Sequence, residues 1–136
     1  MTERSRTSPD VILVDDDAEL VAMIAFGLES AGYSVAKYDN GPDALAALVA
    51  LSTEGLPRLV LIAVDLPGLD GHTLHERLRA ARPDRFIVAF LSARDSDADQ
   101  IRASAAGAVD YLTKPVSVPV LLGKVEVWLS RCGNAT

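Results

Sequence analysis

The chain has 136 residues, which is enough for one domain with a hydrophobic core and too few for two of ordinary size. Hydrophobic residues make up 49% of it, charged residues 24%, and the net charge is −6, so we expect a soluble globular protein that does not bind nucleic acid directly. No apolar run approaches the roughly 20 residues of a membrane span, and the single cysteine, Cys132, excludes an internal disulfide; both indicate a cytoplasmic protein.

Apolar runs that favour β-strands alternate along the chain with segments of helical periodicity. The strand candidates are short and apolar, several of them rich in β-branched residues: "DVILV" (10–14), "YSVAKY" (33–38), "LVLIAV" (59–64), "FIVAFL" (86–91) and "AVDYLT" (108–113). The third and fourth runs are continuously apolar rather than alternating, which predicts that they form the central strands of a sheet.

Helices are predicted between and after these strands. They are expected over the ranges 17–32, 41–51, 72–82, 95–107 and from about Val118 to Arg131. Alternation of this kind predicts right-handed crossovers and a three-layer, doubly wound α/β fold with a parallel sheet. We assign residues 1–9 to a flexible lead-in, 10–131 to the domain and 132–136 to a tail.

Three consecutive acids, Asp15, Asp16 and Asp17, follow the first strand. Ligands of such sheets bind beyond the carboxyl ends of the strands. Helix capping explains Asp17, but two neighbouring carboxylates repel each other by about 4 kcal/mol at 4 Å and an effective dielectric near 20. We therefore expect a partner for Asp15 and Asp16, either Mg²⁺ or Mn²⁺ or the ammonium of Lys114, or both. Solvated surface acids are the simpler alternative.

The ends of the fourth and fifth strands add a hydroxyl and an amine to the same edge. Ser92 taken alone is a polar residue at a strand end, but beside an anionic group its hydroxyl could donate a hydrogen bond to phosphate. Lys114 taken alone is a surface lysine, and its place on the edge that carries the acids favours an ionic role. The bond between Lys114 and Pro115 is a candidate for the cis form, which proline tolerates.

The segments "VILVDDD", "PGLDG", "LSAR" and "GAVDYLTKP" together resemble the receiver domain of two-component response regulators, over about residues 10–131. The resemblance implies a flavodoxin-like (βα)5 fold with strand order 2-1-3-4-5. It also implies that a sensor histidine kinase or a phosphotransfer protein supplies a phosphoryl group. The resemblance implies that Mg²⁺ is bound by Asp15, Asp16 and the backbone carbonyl of Asp65. It implies that Ser92 and Tyr111 sense the phosphoryl group and that Lys114 pairs with it.

The resemblance breaks at the phosphoacceptor. The family motif places aspartate four residues before a proline and eight before a glycine, and with Pro67 and Gly71 in place this position holds Ala63. A methyl group can neither be phosphorylated nor bind a metal. Asp65 is a poor substitute because residues two apart lie about 6.6 Å apart along a strand, and an error of about 1 Å can cost about a hundredfold in rate.

Loss of this carboxylate has an electrostatic consequence. Mg²⁺ should bind weakly or not at all, and Lys114 should be drawn to Asp15 and Asp16. The sequence fits a natural receiver that signals without phosphate and also a deliberate replacement of the aspartate by Ala63, which the otherwise intact site slightly favours. The sequence decides neither the cognate kinase, nor the oligomeric state, nor whether the receiver stands alone or belongs to a longer regulator.

An enzyme is the main alternative. Asp15 and Asp17 are spaced like the nucleophile and acid of haloacid-dehalogenase-like phosphatases. Those enzymes need further acids after the lysine, and only Glu126 follows Lys114 here, so we do not predict an enzyme. A flavin- or nucleotide-binding module is disfavoured because three aspartates would repel a phosphate.

A protein-interaction module is the third interpretation. In receivers the output surface is formed by the fourth helix, the fifth strand and the fifth helix. Val118, Leu122 and Trp128 could serve a homodimer or an output partner there, although packing of the helix into the core explains them equally well. His72 and His75, three apart, are expected to be ordinary surface residues.

Overall fold

The computed structural model describes residues 9–51 and 58–134. Strands and helices alternate in the order β1 (Val11–Val14), α1 (Ala18–Ser30), β2 (Val35–Tyr38), α2 (Gly41–Ala50), β3 (Arg58–Ala63), α3 (Gly71–Ala81), β4 (Phe86–Ser92), α4 (Asp97–Ala105), β5 (Asp110–Thr113) and α5 (Val118–Asn134). Most of the predicted lead-in, residues 1–8, and the last two residues of the predicted tail lie outside the described residues. Helix α5 runs past Arg131, so the predicted domain end falls inside a helix.

The five strands form one parallel sheet in the order β2-β1-β3-β4-β5, which confirms the predicted topology. Strand β3 is central, as its continuous hydrophobicity predicts, and Leu59 to Ala63 are at most 2% exposed. Because Ala63 pairs with Leu91, and Ser92 with Thr113, the carboxyl ends of β3, β4 and β5 meet at one edge of the sheet.

Two apolar layers cover the sheet. Leu61 and Trp128 belong to the layer under α1 and α5, whereas Ile62 belongs to the layer under α2, α3 and α4. Trp128 is 8% exposed, and Val118 and Leu122 pack against the first layer, so core packing explains these three residues. Within the described part of the chain, no helix is both long enough and apolar enough to cross a bilayer.

Candidate functional site

Asp15 follows β1 and is the buried acid of the site, at 3% exposure. Its backbone N–H donates to the Tyr38 carbonyl (3.1 Å), and its Oδ1 accepts from the Asp17 N–H (3.0 Å). Its Oδ2 lies 2.9 Å from Lys114 Nζ, in ion-pair contact rather than a well-directed hydrogen bond. Asp16 is exposed. The buried carboxylate therefore has one cationic partner, which offsets the loss of its hydration.

Lys114 is held at the same edge by its backbone. Its N–H donates to the Ser92 carbonyl at 2.7 Å, which extends the pairing of β4 with β5 by one residue. The peptide bond between Lys114 and Pro115 is cis, as the sequence suggested. The lysine side chain is 23% exposed, so the ammonium is partly hydrated while it rests on an almost fully buried carboxylate.

Ser92 and Tyr111 meet at the loop that follows β4. Ser92 is 2% exposed, and its Oγ accepts a hydrogen bond from the Arg94 N–H at 3.0 Å. The Tyr111 hydroxyl donates to the Arg94 carbonyl at 3.4 Å, and its ring centroid lies 6.3 Å from that of Phe90. The two residues predicted to sense a phosphoryl group thus contact the two backbone groups of one residue.

Ala63 closes β3 with a buried methyl group, at 2% exposure. The turn that follows is fixed by Gly71, whose N–H donates to the Val64 carbonyl at 2.8 Å. A Cβ added to Gly71 would lie 2.1 Å from the carbonyl oxygen of Ala63, so only glycine allows α3 to begin this close to the strand. This contact is the physical reason for the spacing between strand end and glycine.

Asp65 is turned toward a different partner from Asp15. Its Oδ1 lies 2.7 Å from Arg94 Nη2, and the two side chains are 63% and 56% exposed. Arg94 also lies 3.8 Å from Asp99 Oδ2 on α4. Among the described ion pairs, Lys114 therefore joins Asp15 and Arg94 joins Asp65.

An open acidic groove of about 480 Å³ adjoins the acid pair, and Asp15, Asp16, Asp39, Asp43 and Lys37 are among its lining residues. Four carboxylates against one ammonium favour a cation. Within residues 9–51 and 58–134, no three His, Cys, Asp or Glu side chains converge as metal ligands. Mg²⁺ is often held by one or two carboxylates and several waters, so the oxygen donors of Asp15 and Asp16 fit this ion, with fewer protein ligands than a closed cage.

The interpretation of the two histidines changes with the structure. The expectation that His72 and His75 are surface residues is wrong, because each is 4% exposed and packs against Phe90, with ring centroids 5.0 and 5.5 Å away. Helical spacing places His75 three residues before Leu78 on the buried face of α3, which is the signal that could have revealed it. Arg94, which carries the contacts of Asp65, gives no comparable local signal.

The phosphatase interpretation is not supported. Asp17, its required acid, is exposed and caps α1, because its Oδ1 accepts a hydrogen bond from the Leu20 N–H at 3.2 Å. The side chain thus serves the helix terminus, where an aspartate accepts backbone N–H groups.

Comparison with known proteins gives one consistent result. The model of the response regulator receiver domain matches residues 11–126. The transcriptional regulatory protein PrrA of Mycobacterium tuberculosis is 38% identical over 128 residues, which are 94% of this chain and 53% of that protein. The phosphate regulon transcriptional regulatory protein PhoB of Rhizobium meliloti is 34% identical over 125 residues, 90% of this chain and 53% of that protein. The chain thus spans about half the length of these curated relatives.

Solved structures agree in fold. A CheY-like receiver domain protein from Methanospirillum hungatei has a TM-score of 0.83 at 25% identity, covering 93% of this chain and 97% of that one. The receiver domain of the Francisella response regulator 1452 has a TM-score of 0.80 at 30% identity, covering 91% and 98%. The sheet order, the strand-end acids and the family match together lead to one assignment: the chain belongs to the response regulator receiver domains of two-component signal transduction.

Proposed function

We propose that this receiver is not phosphorylated at the usual acceptor position and acts through protein contacts that do not require an acyl phosphate. The supporting observation is Ala63, which ends β3 with a buried methyl group where the family motif has aspartate. Transfer from a phosphohistidine breaks a P–N bond and forms a P–O bond to a carboxylate oxygen. An alkyl side chain offers no oxygen for that bond.

The remaining residues suit a site in which Lys114 already balances part of the negative charge. Receiver domains bind Mg²⁺ at their acidic pocket, where the ion neutralises the charge of the transferring phosphoryl group. Here Asp15, Asp16 and the backbone carbonyl of Asp65 would hold it. Because Lys114 lies 2.9 Å from Asp15, the ammonium competes with a metal for the same carboxylate. We therefore propose that Mg²⁺ binding is weak and that this chain catalyses no reaction of its own.

The partners follow from the family and from the exposed surface. Receiver domains interact with histidine kinases or phosphotransfer proteins, and PrrA and PhoB are transcriptional regulators. Ile101 on α4, Val109 before β5 and Val120 on α5 are 68%, 44% and 57% exposed, so the face formed by α4, β5 and α5 carries unburied apolar side chains. We propose that this face binds an output partner or a second copy, and that the chain does not bind nucleic acid itself.

Intact-mass analysis after incubation with acetyl phosphate and Mg²⁺ tests the phosphoacceptor proposal. The unaltered chain should gain no phosphoryl adduct, and Ala63→Asp should gain one. Ala63→Asn is the matched control, because its amide has the shape of aspartate without a carboxylate oxygen. An adduct on the unaltered chain that disappears in Asp65→Asn would overturn the proposal and identify Asp65 as the acceptor.

A further inference from the structure

His72 joins α3 to α4 in a place that water hardly reaches. It is 4% exposed, and its ring lies against Phe90 of the central sheet. Its Nε2 lies 3.3 Å from Asp99 Oδ1 in the first turn of α4, without the geometry of a hydrogen bond. The contact is therefore mainly electrostatic, and its strength depends on whether the imidazole carries a proton.

Helix α4 has few other anchors on this side of the sheet. Of its nine residues, from Asp97 to Ala105, only Ala103 is buried. A helix with so little apolar burial opens at lower free energy than its neighbours, and single polar contacts then weigh more in its docking. The side chain of Asp99 is 18% exposed, which makes its contact with His72 drier than the surface ion pairs of α4.

The charged groups near His72 and Asp99 lie on several elements of the fold. Arg94 approaches the other oxygen of Asp99 at 3.8 Å, but its side chain is 56% exposed and pairs more closely with Asp65. Arg102 is engaged with Glu76 on the surface at 3.2 Å. The groups that interact with the imidazole or with Asp99 are Asp70 and His75, through their charges, and Arg94, through its contact with Asp99. Farther out, Glu76 pairs with Arg102, and Tyr111 packs on the Phe90 ring that also contacts His72.

The neighbouring His75 differs from His72, because none of the ion pairs in the described part of the chain joins His75 to a carboxylate. Its Nδ1 has no hydrogen-bond partner in the described structure, and burial, assisted by the charge of Arg79, lowers the pKa of its imidazole. His75 is therefore disposed to stay neutral in the folded state. Of the two buried imidazoles, His72 is the one that lies beside a carboxylate, so a proton on its ring would form an ion pair.

We propose that His72 and Asp99 form a proton-operated clamp that fixes the first turn of α4 against α3. When a proton from water binds the imidazole, the ring becomes cationic and the ion pair with Asp99 holds α4 in place. When the proton returns to water, the imidazole becomes neutral, the ion pair with Asp99 is lost and α4 is held less tightly. The direction of the effect follows from the chemistry: the ion pair requires the protonated imidazole, so the clamp is stronger at lower pH and weaker at higher pH. This inference does not depend on Ala63, because no phosphoryl group takes part.

Amide hydrogen exchange of the whole 136-residue chain between about pH 5 and 8, corrected for intrinsic rates, tests the clamp. Protection of α4 amides, measured relative to α1, should fall about tenfold across the titration of His72 followed by imidazole NMR, which is the scale of one charge-assisted contact. Asp99→Asn should remove this pH dependence and leave α4 in the loose state. Asp97→Asn is the matched control, since it removes an acid from the same turn without touching His72.

Two results would overturn the clamp. One is relative protection of α4 that does not change while His72 titrates in the unaltered chain. The other is an equal effect of Asp97→Asn and Asp99→Asn, which would assign the change to the helix dipole alone. His72→Gln, which keeps a polar side chain but cannot be protonated, should reproduce Asp99→Asn, and retained pH dependence in that variant would likewise refute the role of His72.

Discussion

The contact between Lys114 and Asp15 leads to the sharpest prediction about this site. Lys114→Met removes the ammonium and keeps a side chain of similar length. It leaves Asp15, whose side chain is 2% exposed, without its cationic partner. Breaking a fully buried ion pair in this way costs about 3–5 kcal/mol. Because the lysine side chain is 23% exposed and water can enter its place, we expect a loss of about 2–3 kcal/mol in the free energy of unfolding.

The double variant Asp15→Asn/Lys114→Met should recover most of that loss. An asparagine oxygen can still accept the hydrogen bond from the Asp17 N–H, and no uncompensated charge remains buried. We expect the double variant to lie within about 1 kcal/mol of the unaltered chain. Added Mg²⁺ should stabilise Lys114→Met more than the unaltered chain, because the ion can replace the missing ammonium at Asp15.

Urea denaturation followed by the fluorescence of Trp128, the only tryptophan of the chain, measures these differences. The control is Lys124→Met, which breaks a pair of similar length, 3.0 Å to Asp110, between side chains that are 40% and 31% exposed. That loss should stay below about 1 kcal/mol. Equal losses for the two lysine variants, or purely additive effects of Asp15→Asn and Lys114→Met, would refute the claim that a buried ion pair holds the site together.

Three further perturbations follow from single contacts. Gly71→Ala should lower the free energy of unfolding by about 3 kcal/mol or more, because the added Cβ would overlap a carbonyl oxygen at the end of β3. Gly123→Ala is the control: nothing lies within 4 Å of its added Cβ, so it should stabilise α5 by up to about 1 kcal/mol. Equal effects of the two substitutions would contradict this. Asp70→Ala should cost about 1 kcal/mol at pH 7. Burial raises the pKa of Asp70, but the two hydrogen bonds from Thr73 help to bring it below its usual range. The stabilisation by Asp70 is therefore present above the unfolded pKa and is lost in acid. A stability loss in Asp70→Ala that stays constant with pH would count against this. Burial lowers the pKa of His75, so the folded state should lose stability as the pH falls through the unfolded pKa. In urea titrations at pH 7 and 5, His75→Leu should reduce this difference in the free energy of unfolding. An unchanged difference would show that His75 is not responsible.

Most of the fold could be predicted because its strands differ in how apolar they are. β3 and β4 are covered by helices on both faces, and their continuous hydrophobic runs in the sequence reflect this burial directly. Gly32, with φ of +100°, follows α1, which is the position where a glycine commonly ends a helix. The predicted end of α5 at Arg131 is early, because Gly133 favours a helix end but the helix continues through it to Asn134.

Some polar contacts of the site could be predicted from the sequence and others could not. Asp15, Ser92 and Lys114 could be placed together because parallel strand ends meet at one edge whatever the loops do. Arg94 could not be placed, because its partner Asp65 is 29 residues away in the chain and no periodic pattern links the two. His72 was misplaced because a polar residue type suggested exposure, although the residues of α3 around it follow the spacing of a buried face.

The loss of the nucleophile and the weak metal binding proposed here both follow from the missing carboxylate at position 63. Asp15 and Asp16 with Lys114 leave a net charge of −1 at the strand ends, and an aspartate at position 63 would make it −2 beside a buried carboxylate. A divalent cation would balance the second arrangement, while the first carries only one uncompensated charge once Lys114 is counted. Ala63→Asp should therefore bind Mg²⁺ at least about tenfold more tightly than the unaltered chain in a calorimetric titration, the effect of about 1.4 kcal/mol. If the variant accepts a phosphoryl group while its Mg²⁺ affinity stays unchanged, the charge of residue 63 does not govern the metal, and the balance between Lys114 and the acid pair must be explained in another way.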